Sequence, residues 1–168
     1  FSKNSYGDNY GAAYTCASDP GIRYYGGTNT DTSTRSYSMT NMTTGGGIGE
    51  TGGYLRYLGM TGKTNTGIPH SRNLNTVDNA QGTISLVENQ STGNLLGNGW
   101  QPTMDAGSYE TRYATGQLPH RQQKSNYLMA DGHVEAFTFY KTLTTTSGTS
   151  VLATITSDVS DSYWDSSR

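Results

Sequence analysis

Charge is what this sequence has least of. Only 14% of its residues are Asp, Glu, Lys or Arg, and the formal balance is −2. That balance leaves no basic footprint for a nucleic-acid partner. No Lys/Arg cluster lies beside an apolar face, so membrane-surface binding has no support either. Long apolar runs are missing: no stretch of about 18 such residues offers a bilayer-spanning helix. No charged-then-apolar leader opens the chain. Phe1 is not preceded by Met, so the expectation is a processed chain or a piece of a longer one. Cysteine occurs once, at Cys16. An internal disulfide framework is thereby excluded, and Cys16 is either a free thiol or half of a pair whose other half is missing. Helical periodicity is also scarce, since no stretch longer than about eight residues repeats convincingly at 3.6.

What the chain has is Gly (22) and Tyr (13) on a Ser-, Thr- and Asn-rich background with 32% hydrophobic residues. Low hydrophobicity without high net charge argues against charge-driven disorder. A polar but weakly charged surface is in the manner of secreted and surface proteins. The 168 residues suit one domain, 1–168, with a modest core. The predicted fold class is mainly β: an antiparallel sheet with long Gly/Ser/Thr-rich loops.

Strands are expected at 12–16, briefly at 22–25, and at 35–42, where polar and larger residues alternate. Residues 17–21 read as a Pro-Gly turn. The clearest central strand is 83–88, β-branched and apolar between Gly82 and Asn89. Residues 26–34, 61–81 and 89–116 read as loops. The Gly-rich run 45–54 lacks the GK[ST] of a phosphate loop, so nucleotide binding is set aside. Residues 120–139 hold a hairpin: two apolar runs, 126–130 and 133–139, are joined by Asp131-Gly132. A two-residue link of that kind predicts a type I′ turn with both residues at positive φ. The Thr-rich stretch beyond, within 140–168, predicts a C-terminal β extension.

Candidate chemistry is thin. His120, Asp131 and His133 surround the hairpin and offer three metal ligands, but adjacent strand residues point to opposite faces and a turn Asp usually caps its own backbone. The reading favoured is a structural turn; calcium on Asp, Asn and carbonyl oxygens stays open, although no DxDxDG-type loop is present. Cys16 with a histidine would be the obvious nucleophilic pair, without local signs of activation. Glu88 with Glu50, Glu110 or Glu135 could form a glycosidase-type acid pair that sequence cannot locate. Asn41 and Asn89 head N-glycosylation acceptor patterns, and the many Ser and Thr leave O-glycosylation open.

The order of these features carries more than any one of them. Tyr14-Thr15-Cys16-Ala17-Ser18-Asp19-Pro20 is followed by Arg35-Ser36-Tyr37-Ser38-Met39, then Ile84-Ser85-Leu86-Val87-Glu88. Last come His120 and Asn126-Tyr127-Leu128-Met129-Ala130-Asp131-Gly132-His133-Val134. This succession, spanning about residues 14–139, resembles the bacterial prepilin-type, type II secretion pseudopilin-like proteins with a C-terminal His…Asp-Gly signature. Such proteins carry a Cys-Pro-Ser-Asp-Pro turn, a Ser-Tyr strand, a strand ending in Glu, and a closing run like NxLFADGHV. Here Ala17 replaces the usual Pro, and ten residues rather than about nine separate His120 from Asp131. Ser5 stands where the family's apolar N-terminal helix carries Glu, so that helix is expected to be absent from this chain. The family often has a Cys just after the helix, a partner that Cys16 would then have lost.

The resemblance implies a type IV pilin-like head, α+β if the missing helix is counted, on an extracellular filament at the bacterial cell surface. Self-association, with other pseudopilins as further partners, would carry the function, with no enzyme activity and no cofactor. A second reading, a secreted carbohydrate-binding or adhesive β module, draws on the many Tyr and the two Trp, which suit glycan faces. A hydrolase is the third.

Overall fold

β-branched and apolar side chains between Gly82 and Asn89 favour an extended, half-buried backbone, and the strand they form is the axis of the fold. The computed structural model describes residues 16, 24–25, 28–29, 36–40, 59–63, 69–90, 94, 103–104, 106–115, 120, 124–150, 159 and 161–168. In chain order the strands are β1 (Tyr24–Tyr25), β2 (Thr28–Asn29), β3 (Tyr37–Thr40), β4 (Thr61–Lys63), β5 (Pro69–Ser71), β6 (Ile84–Glu88), β7 (Thr103–Met104), β8 (Lys124–Met129) and β9 (Val134–Thr138). The described residues also include two helices, α1 (Ala106–Ala114) and α2 (Phe139–Thr142), and short 3-10 turns at Leu74–Thr76 and Ala80–Gly82. The main sheet runs β7-β3-β6-β8-β9, while β1-β2 and β4-β5 form separate two-stranded ribbons. Along the order β3, β6, β8, β9 each strand is antiparallel to its neighbour, and the short β7 lies parallel against β3. The mainly β, antiparallel expectation therefore holds at that level, with β6 in the middle.

A bulge sets the phase of β6. Ile84 and Val87 are both fully buried although three residues apart, which a regular strand would place on opposite faces. The register with β8 shifts between Ile84 and Leu86, and Ser85 donates its hydroxyl to Leu128 O at 3.0 Å, occupying the local gap. Both aliphatic side chains thus reach one core, while Leu86 and Glu88 face the other side.

The core side is roofed by aromatics. Tyr109 of α1 lies 5.9 Å from Tyr127, 5.8 Å from Phe139 and 5.5 Å from Trp164, ring centre to ring centre. With Ile84, Val87, Met129, Leu143 and Val159 they form one buried cluster. The Tyr109, Tyr127 and Ser125 hydroxyls sit together there just outside strict hydrogen-bond geometry, and burial pushes the Tyr109 phenol up to about 12. Residues 161–168 fold back under the sheet: Ile84 N–H donates to Tyr163 O at 2.7 Å, and Arg168 Nη1 to Gly82 O at 2.9 Å.

Several expectations are corrected. The loop read across 89–116 contains α1, nine residues long. The loop read across 61–81 contains β4 and β5. The stretch after the hairpin opens not with a strand but with α2, capped by Thr138, and its described pairing is one isolated bridge, Thr144 to Ser150. The hairpin is present, with Lys124 opposite Thr138 and Leu128 opposite Val134. Its turn is not type I′. Gly132 alone takes the left-handed region, at φ 96°, and its N–H donates to Met129 O at 3.0 Å. Three residues, Ala130, Asp131 and Gly132, make the link, as in a type I turn closed by a glycine bulge. Asp131 needs no positive φ because its carboxylate accepts the His133 backbone N–H at 3.1 Å, a local Asx arrangement.

Candidate functional site

Glu88 follows Val87 and so points away from the aromatic core, yet its side chain is fully buried. A carboxylate out of water must be met by donors. The register that sets Val87 against Tyr127 brings Asn126 opposite Glu88. Asn126 donates its backbone N–H to Glu88 Oε2 at 3.2 Å and its Nδ2 to Oε1 at 3.1 Å. His120 completes the set, Nε2 to Oε1 at 2.7 Å. His120 Nε2 and Asn126 Nδ2 are themselves 3.1 Å apart. Since both point hydrogens at the same oxygen, that distance is the meeting of two donors and not a bond between them. The arrangement fixes a proton on Nε2.

Cys16 closes the cluster from a segment far away in sequence. Its Sγ lies 3.8 Å from His120 Nε2, and its backbone N–H donates to Ser36 Oγ at 2.8 Å. Ser36 O accepts from Asn89 N–H at 2.6 Å, so one serine ties the Cys16 backbone to the end of β6. Asn89 donates Nδ2 to Ser38 Oγ at 2.7 Å, and Asn94 Nδ2 donates to Asn89 O at 2.7 Å. Among the described residues, Cys16, Glu88 and His120 form the one group of three potential metal ligands, each atom within 4.8 Å of the others.

Five residues named from the resemblance, Cys16, Ser36, Glu88, His120 and Asn126, therefore meet in one place. Tyr37, half-buried, stands opposite Glu88 on β3. The trio His120, Asp131 and His133 does not assemble, because His120 belongs to Glu88 while His133 belongs to the hairpin turn. Glu88 and Glu135 do not pair: Glu135 shares the Tyr127 register on the core side and accepts from His133 Nε2 at 3.3 Å. Glu110 rides on α1 over that same core side, and Glu50 lies outside the described residues. Asn89 is corrected as a glycan acceptor, since its amide is fully buried and committed to Ser38. Ser18, Asp19, Pro20 and Asn41 lie outside the described residues. Buried Asn94 was missed; nothing in its polar, Gly-rich surroundings marks it.

A nucleophile–base–acid relay needs the nucleophile on one imidazole nitrogen and the acid on the other. Here the Cys16 sulfur and the Glu88 carboxylate both approach Nε2, so the geometry is that of convergence and not of relay.

At the turn, His133 Nδ1 donates to Asp131 Oδ1 at 2.5 Å. That hydrogen bond holds His133 above its ordinary 6.5, with help from Glu135, while the His133 backbone N–H holds Asp131 below 3.8. His133, raised on folding, stabilises fully below about 6.5 and loses that contribution as pH rises through its folded value. Asp131, lowered, contributes above about 3.9 and loses its share as pH falls through its folded value. Asp131→Asn is expected to bring the His133 midpoint, followed by NMR, down towards 6.5. An unchanged midpoint would show that the pair does not persist in solution.

No family model, curated protein or solved structure matches the chain.

Proposed function

We propose that this chain is a structural subunit of an extracellular, pilus- or pseudopilus-like filament at the bacterial cell surface, acting by self-assembly and display and not by catalysis. The observation that carries this reading is the outer face of the main sheet. Register sets Met39 against Leu86, Leu86 against Leu128, and Leu128 against Val134. These four side chains make an apolar row across four strands, with Met39 41% and Val134 61% exposed at its ends. The row ends on β9, which pairs only with β8 among the described residues and keeps Val134, Glu135 and Ala136 exposed. An apolar row leading to an open strand edge is a surface suited to a second copy of the chain.

The resemblance to prepilin-type, pseudopilin-like proteins supports the same reading. The five signature residues that meet at Glu88 act there as an anchor: they fasten the segments at 16, 36 and 120 to the sheet. The sugar-binding alternative loses Trp164, Tyr109, Tyr127 and Phe139, all buried in the core, and keeps Tyr140, which is exposed.

Val134→Lys places a charge at the open edge without touching the core. Wild-type protein at high concentration is expected to give filaments or ordered oligomers by electron microscopy and sedimentation, and Val134→Lys to stay monomeric. A wild-type chain that is monodisperse at every concentration overturns the proposal.

A further inference from the structure

We propose that Cys16 Sγ, Glu88 Oε1 and His120 Nε2 form a binding site for a divalent transition metal, with zinc the ion that best suits the donor set. Three lines of geometry and chemistry lead there. The donors come from segments 104 and 32 residues apart, yet all three atoms lie within 4.8 Å of one another. In a tetrahedral zinc site with bonds of about 2.0–2.3 Å, neighbouring ligand atoms stand roughly 3.3–3.8 Å apart. The Sγ–Nε2 separation of 3.8 Å already has that value, and the Oε1–Nε2 separation of 2.7 Å needs to open by about half an ångström once a metal replaces the proton between them.

The donor set is selective. Thiolate with imidazole favours zinc over calcium or magnesium, which take oxygen shells. Convergence of sulfur and carboxylate on one imidazole nitrogen, useless for a relay, is what chelation requires. Asn126 supplies the outer support: its backbone N–H and Nδ2 hold the carboxylate in orientation from the side. His120, 30% exposed, marks the side from which an ion and a water as fourth ligand enter. Binding converts the Cys16 thiol to thiolate and releases one proton to solvent. The imidazole proton moves from Nε2 to Nδ1, or leaves as a second proton if both nitrogens carry one.

The test uses the full chain, reduced, treated with chelator and then titrated with Co²⁺ as an optical probe. A sulfur-to-cobalt charge-transfer band with intense tetrahedral d–d bands, saturating at one equivalent and erased by zinc, is expected. Cys16→Ser should remove the charge-transfer band, and Asn126→Ala should weaken zinc binding by about 10–100-fold. Wild-type Tm should rise with zinc, and by less in Cys16→Ser, whose fold is checked by circular dichroism. Weak octahedral-type absorption that Cys16→Ser leaves unchanged, or a Tm indifferent to zinc, overturns the site. Val134→Lys should bind the metal as wild type does, so failure of assembly and failure of the metal site are read separately.

Discussion

Glu88→Ala is expected to lower the unfolding free energy by about 3–5 kcal/mol, the cost of leaving several donors without their acceptor at about 1–3 kcal/mol each. The size follows from what is orphaned: His120 Nε2, Asn126 Nδ2 and Asn126 N–H all lose their acceptor at once. Glu88→Gln keeps one carbonyl oxygen for His120 and Asn126 Nδ2 but turns an amide towards the Asn126 backbone N–H, so it should cost less, roughly 1–3 kcal/mol. Urea unfolding of both variants, with hydrogen exchange at Asn126, separates the two outcomes. If Glu88→Ala unfolds at the wild-type midpoint, the cluster is not an anchor, and the account of the signature residues collapses with it.

Trp164→Ala is expected to cost a similar amount, about 3–5 kcal/mol, by a different route. Trp164 is fully buried against Tyr109 and Phe139, and its Nε1 donates to Thr142 Oγ1 at 2.9 Å. Removing it leaves a cavity beneath α1 and α2, and the Thr142 hydroxyl keeps only the bond it donates to Phe139 O. For a domain of this size the loss corresponds to a Tm drop of roughly 10 °C. Trp164→Phe, which fills most of the space without the donor, should recover the larger part. A Trp164→Ala protein melting within about 2 °C of wild type would show that residues 161–168 do not hold the core closed.

Much of the sheet was legible. Alternation marked β3, β-branched residues marked β6, and the Asp-Gly pair marked the hairpin, because each signal is local and of period 2. The turn type was misjudged for a local reason too: an Asx hydrogen bond to His133 lets Asp131 stay out of the left-handed region. Helix α1 escaped because its inward residues are Ala106, Gly107 and Tyr109, with Tyr113 packed alongside. Tyrosine counts as polar in most patterns, yet here it makes the roof of the core. Trp164 stands among Ser and Asp, where no local pattern marks a core residue.

The site was legible only as an ordered string of motifs. Glu88, His120 and Cys16 have no periodic relation, so no local rule brings them together. Register did that: Asn126 faces Glu88 because the hairpin and the β6 bulge fix which residues stand opposite. His120, weighed from the residues alone as a metal ligand beside Asp131 and His133, is explained by the buried carboxylate of Glu88 that it meets.

The way residues 161–168 return to β6 bears on when this domain can come into being. The first backbone N–H of β6, at Ile84, is satisfied by Tyr163, and the core between sheet and helices is filled by Trp164. A chain emerging vectorially from a ribosome or a translocation pore therefore presents β3, β6 and the hairpin before the residue that seals them. Until residues 161–168 have cleared the exit, β6 lacks the Tyr163 acceptor for its first N–H and the core lacks Trp164.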